Sequence, residues 1–329
     1  MFVSDKTMKM KILATCTVVF YFFILGLVAQ ELPLVPDHPG TFEILTRTNY
    51  TAPEFGFSKT EISANLLKIT DVVNTVRKNR VLTEMKGFDG RARIYTMGMK
   101  DVESYGVPSR ISFEFASWFR LKDGKEVRNL IEPPEWSLII NKLVPQGYQF
   151  SSYRLSSKPD FFTVPEKKET IEPGIDVYDG ECYVVYNPNQ PDYWLPVTVK
   201  EAFDAVFAEN RKVPDQMERD FVLKSLKEEW KAIQQEDWNK PATLSGAISR
   251  VGTQTGFPLI MKVNPAYCDK NRPKSDIQFI YFRMIGNKPY LQQNTAAALK
   301  NNGIGYALCR FEESLDVEFV KSLLPLIIQ

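Results

Sequence analysis

Residues 110–121 read RISFEFASWFRL, and their alternation admits one local structure, a strand with unlike faces. Ile111, Phe113 and Phe115 fall on one side, and Ser112, Glu114 and Ala116 on the other, which is the two-residue period of an extended chain. So apolar a face has to be covered by a second layer. Upstream, RARIYTMGM alternates in the same way. Downstream, Asp123-Gly124 marks a hairpin turn and EVRNLI returns as the partner strand. Glu132-Pro133-Pro134-Glu135-Trp136 interrupts the sheet, and SLIINKL continues as a short strand or helix.

Helices are announced by their caps. Ser58-Lys59-Thr60-Glu61 is a capping box, and Ile62, Leu66, Ile69, Val73 and Val76 follow at steps of three and four, which predicts a helix to about Asn79. Thr198-Val199-Lys200-Glu201 repeats the box, and Asp215 with Glu218 opens a third helix. On that helix Met217, Phe221, Leu226, Trp230 and Ile233 trace an apolar stripe that suits core packing or the docking of a partner. FPLIMKVN, IQFIYFRM and GYALCRF read as three buried strands, with a helix over 295–301 between the last two and a final helix opening at Ser314-Leu315-Asp316.

Strands and helices are grouped in the first half and mixed in the second, which predicts an α+β fold: two mixed sheets each packed with helices, the first half antiparallel-rich. The stretch 156–175, rich in proline, charge and small polar residues, is the expected linker between α+β domains at 58–155 and 176–329. A proline-rich tether over 31–57 precedes the first of them. Asn49-Tyr50-Thr51 within the tether matches a glycosylation acceptor.

Residues 1–30 are of a different kind. Lys6, Lys9 and Lys11 precede an uncharged apolar run, Ile12 to Ala29, in the order of an export signal. Its 18 residues are near the minimum for a membrane-spanning helix, so the segment is expected either to be cleaved near Ala29 or Gln30 or to remain as an anchor. Either way the rest of the chain is expected outside the cytoplasm, touching a membrane only through this segment.

Of 41 basic and 40 acidic residues the leader holds three and one, which leaves 38 and 39 and no block of like charge. Nucleic acid is not an expected partner of so neutral a chain. The one histidine, His38, sits in the tether, so Ser-His-Asp and Cys-His nucleophile systems and histidine metal sites are not expected. Neither a metal nor a cofactor is implied: Gly246, Gly252 and Gly256 fit no nucleotide-binding spacing. Cys182, Cys268 and Cys309 lie beyond the leader and are read as reduced core residues, with Cys268–Cys309 the expected pair if an oxidising compartment joins any two.

Three proline-stiffened loops are the candidate site: Glu132–Trp136, Asn187–Pro196 and Asn264–Pro273. Their Trp136, Asp192, Tyr193, Trp194, Tyr267 and Asp269 pair aromatic faces with polar groups, which suits stacking and hydrogen bonding to a sugar or peptide, although such rings also serve as plugs for a sheet edge. The expected function is therefore an exported, non-enzymatic protein binding an envelope or extracellular glycan, peptide or protein. The alternative is an exported hydrolase of polysaccharide or peptidoglycan fragments, drawing a carboxylate pair from Asp192, Asp269 and Asp276.

Overall fold

A computed structural model describes residues 33–47, 56–96, 105–129, 133–145, 153–157, 160–245, 250–285, 292–297 and 305–328. The leader, the Asn49 acceptor, Gly246 and the end of the expected 295–301 helix lie outside the described residues, while 292–297 is helical.

The alternating run forms β3 (Ser109–Arg120) near the middle of a large sheet. It pairs antiparallel with β2 (Phe88–Thr96) on one side and β5 (Glu135–Ile140) on the other. At its far end it holds β4 (Glu126–Arg128), the expected hairpin partner. β1 (Phe42–Arg47) adds to β2 in parallel and makes the sheet mixed. The sheet continues beyond β5 into strands from the second half: β15 (Phe279–Arg283), β10 (Cys182–Tyr186), β9 (Ile175–Tyr178) and β8 (Lys167–Glu172). Among the described residues it has nine strands. A second, six-stranded sheet is ordered β13 (Arg250–Gly252), β12 (Thr243–Ser245), β14 (Leu259–Val263), β7 (Asp160–Val164), β6 (Arg154–Ser157), with β11 (Trp194–Pro196) on β14.

The stretch read as a linker thus contains β7 and β8, one in each sheet. Its composition has a physical reason. Pro165 and Glu166 form the corner where the chain passes between sheets, and β8, KKETIE, is an edge strand, where charge discourages pairing with other chains.

Three cores stack the layers. α1 (Lys59–Arg77), α5 (Tyr306–Ser314), α6 (Val317–Leu323) and α7 (Pro325–Ile328) cover one face of the large sheet, where Ile69, Val73, Phe113, Phe115, Trp136 and Phe311 are buried together. The second core, rich in aromatic rings, lies between the sheets. The third lies between the small sheet and α3 (Val199–Asn210) and α4 (Gln216–Ala232). Phe161 and Phe162, adjacent on β7, enter the third and second cores respectively, as a period of two demands. The result is an α+β fold of two sheets with helices on both outer sides.

The caps act as expected: Ser58 and Thr198 close capping boxes with Glu61 and Glu201, and the Asp215 carboxylate accepts from the Glu218 N–H at 2.8 Å. Two expectations differ. GYALCRF is helical: Tyr306, Ala307 and Phe311 are its buried residues, and a short apolar run does not distinguish strand from helix. The α4 stripe divides, with Leu226 buried but Met217 and Phe221 facing solvent. A short helix, α2 (Arg80–Thr83), links α1 to β2. Among the described residues no helix is long and apolar enough to cross a membrane.

Candidate functional site

The two Asn-Pro loops meet, and they meet in the core between the sheets. Tyr193 and Trp194 have ring centroids 4.8 Å apart, and Tyr193 and Tyr267 6.0 Å apart. Each loop is bent by its own asparagine: Asn187 Oδ1 accepts from the Asn189 N–H and Asn264 Oδ1 from the Ala266 N–H, both at 3.0 Å. They are then tied together. Asn264 Nδ2 donates to the Asp192 carbonyl at 2.6 Å, and Asn264 N to the Tyr193 carbonyl at 3.0 Å.

This geometry turns the rings inward. Trp194 is 4% exposed and Tyr267 fully buried. Trp194 Nε1 donates to the Leu143 carbonyl at 2.6 Å, and the Tyr267 hydroxyl donates to the Gln278 carbonyl. The Tyr193 hydroxyl donates to Asp176 Oδ2 at 2.7 Å and lies 2.7 Å from the Tyr178 hydroxyl. Burial pushes all three tyrosines well above the usual phenol range. Trp136 is elsewhere, in the core under α5, with Nε1 donating to the Arg283 carbonyl at 2.7 Å. In this arrangement these four aromatic side chains are packing groups with satisfied polar tips.

The carboxylates are dispersed in role. Asp192 is exposed. Asp269 Oδ1 accepts from the Asn271 N–H at 2.9 Å, which closes a local turn. Asp276 is buried, which alone would raise its pKa, but hydrogen bonds from Lys68 and Arg272 outweigh burial and hold it below the usual range. Cys182, Cys268 and Cys309 form no disulfide, so no bond joins the expected pair. Burial pushes Cys182 up to about 12 and Cys268 to about 11, so both are thiols at neutral pH. Among the described residues no three His, Cys, Asp or Glu side chains gather as a metal site.

The concavity lies where the sheets join. A groove of about 620 Å³ is walled by the β7–β8 corner (Pro165, Glu166), the β9–β10 turn (Asp179), Lys240 and Pro241 before β12, and the loop Thr253–Pro258 before Leu259. Phe257 and Leu259 are 41% and 38% exposed, large apolar groups left open to water. Loop and strand are pinned: Gln254 N donates to Thr243 Oγ1 at 3.1 Å and Leu244 N to the Pro258 carbonyl at 3.0 Å. Three prolines stiffen the walls. Asp179 and Lys240 at the rim are held by Lys168 and Asp237. None of the loop residues expected from sequence lines this groove. Its own residues come from four separate stretches, and only the exposed phenylalanine after Gly256 is a local signal.

No protein-family model, curated protein or solved structure matches this chain.

Proposed function

We propose that the chain is an exported, non-catalytic binding protein that takes an extended peptide segment of a partner in the groove between its sheets. The groove carries this reading. Its volume falls in the range of ligand sites, and its lining sets the apolar Phe257, Leu259 and three prolines among threonines, Gln254 and charged groups that can bond a peptide backbone. A peptide suits it better than a glycan. Phe257 is the one aromatic ring in the wall, too little for a stack of sugars, whereas prolines and Leu259 suit apolar side chains. β13 is a sheet edge among the described residues and offers backbone groups to an added strand. Export is supported by the uncharged run behind three lysines.

The test is a peptide-display selection against the full-length chain, with fluorescence anisotropy on the selected peptides. Peptides whose affinity falls at least about tenfold with Phe257→Ser support the reading, since losing one buried aromatic contact removes about 1.4 kcal/mol or more. Failure to select any peptide, or binding indifferent to Phe257→Ser, would sink it. A reporter fused at the C-terminus checks export separately; reporter activity confined to the cytoplasm refutes that part alone.

A further inference from the structure

The large sheet has a second unusual surface, independent of the groove. The core between the sheets reaches Ile139 on β5, and the same face of β2 and β3 carries polar residues instead. Arg93 stands opposite Ser112, and Ser112 opposite Ser137; in the next row Arg91 stands opposite Glu114, and Glu114 opposite Glu135. Directly opposed residues put their Cβ atoms about 4.5–5.5 Å apart, so these side chains touch across the strands.

The second row is electrostatically complete. Glu114 holds Arg91, and its Oε1 lies 2.7 Å from Arg93 Nε. Arg110 reaches Glu135 and, at 3.3 Å, the Ser137 hydroxyl through Nη2. The first row is not. Ser112 is 1% exposed, and its hydroxyl has no hydrogen-bond partner among the described residues. Arg110 Nε, two residues along the same face, is also buried and without one among the described residues. Natural proteins rarely leave such groups unsatisfied. The neighbouring guanidiniums of Arg93 and Arg110 only donate, so the partner that fits all of them is an acceptor. Arg91, Arg93 and Arg110 face Glu114 and Glu135, and Glu43 stands opposite Arg91 on β1, on the side away from Ser112.

We infer that a small-molecule oxyanion (carboxylate, sulfate or phosphate) binds on this face at the Ser112 hydroxyl, between Arg93 and Arg110. The guanidinium edge of Arg110 supplies the charge-assisted hydrogen bond, and Ser112 donates the second. Glu114 and Glu135 hold the arginines in place through their ion pairs.

The experiment is thermal denaturation of the full-length chain in phosphate, sulfate or acetate against chloride at matched ionic strength. At least one anion is expected to raise Tm saturably, and comparing the three separates a tetrahedral from a planar group. Ser112→Ala is expected to fold with an unliganded Tm equal to or above that of the parent, because it removes a buried hydroxyl with no partner, yet to weaken the anion about tenfold. Arg110→Gln is expected to abolish the response. If no anion stabilises beyond chloride, or if the response survives Ser112→Ala unchanged, the site does not exist.

Discussion

His38 lies flat on Trp118, with ring centroids 3.8 Å apart and planes 24° from parallel, while its Nδ1 is 2.6 Å from Glu126 Oε2. The only histidine of the chain therefore fastens the tether to the β3–β4 end of the large sheet. The backbone follows: Val35 N donates to the Trp118 carbonyl at 2.9 Å, and Gly87 N to the His38 carbonyl at 2.8 Å. His38→Ala removes the ring and its contact with Glu126 but leaves the strands intact. The expected result is faster hydrogen exchange at the Val35 and Gly87 amides, with β3 amides unchanged. Equal exchange in both proteins would mean that the backbone bonds alone hold the segment.

Trp194 and Tyr193 were chosen from sequence as ligand contacts, and their burial makes a different forecast. Trp194→Ala should cost about 3–5 kcal/mol in urea unfolding, as for other buried tryptophans, since its ring meets Phe162, Tyr178 and Phe279 edge-on. Tyr193→Phe keeps the packing but withdraws the hydroxyl between Tyr178 and Asp176. Asp176 retains Thr170 at 2.6 Å and Lys167 at 2.8 Å, so the expected cost is smaller, about 1–2 kcal/mol. A Trp194→Ala protein as stable as the parent would show that the ring is not core.

Glu312, on α5, has its carboxyl raised to about 7, first by burial and then by Glu181, against the opposing pull of Arg283. Its folded pKa is above the unfolded value, so between about pH 4.5 and 7 the folded state binds the extra proton. That stabilisation is complete below pH 4.5 and is lost as pH rises through 7. Glu312→Gln mimics the protonated form. It should match the parent near pH 4.5 and exceed it by about 1–2 kcal/mol at pH 8, a discounted conversion because part of the side chain reaches water. A stability difference that does not vary with pH would refute the raised carboxyl.

Gly174 turns the chain from β8 to β9 with φ at +103°, a conformation that side chains strain to adopt. A Cβ there would fall 2.9 Å from the Tyr186 carbonyl oxygen and 2.6 Å from Leu324 Cδ1. The leucine tip can move; the carbonyl cannot, because it belongs to β10. Gly174→Ala should therefore destabilise by about 2 kcal/mol or more, measured as a lower urea midpoint with an unchanged slope. Gly124, also at positive φ but with open space around it, should tolerate alanine better.

Much of this fold was legible because its signals are local. Ser58 with Glu61, Thr198 with Glu201 and Asp215 with Glu218 each place a helix start within four residues, and RISFEFASWFRL gives its own buried face. The insertion of β15 between β5 and β10 was not legible, since it joins residues about 140 apart on one side and about 100 apart on the other, and no local pattern specifies either partner. Turn chemistry misled at the candidate loops. Asn187 and Asn264 bend the backbone whether the next aromatic ring points outward or inward, and only the second sheet decides. The groove escaped notice because Pro165, Asp179, Pro241 and Phe257 meet through the junction of the sheets. Ser112 was assigned to the polar face, but its missing partner is a property of its neighbours.

Met217 and Phe221 are 81% and 76% exposed, one turn apart at the start of α4, while Leu226 further along is buried. Spacing of four places the pair on one stripe, but the helix meets α3 through Leu226 and Trp230, the latter 5.1 Å from Phe203. The first turns therefore carry apolar side chains without a covering layer. The double change Met217→Ser, Phe221→Ser should alter unfolding free energy by less than about 0.5 kcal/mol, as for other surface positions, whereas Leu226→Ala should cost about 2–4 kcal/mol. Any concentration-dependent association of the parent in sedimentation should fall in the double variant. A loss above about 2 kcal/mol for the double change would mean that this turn is covered in solution and that the helix packs on both sides.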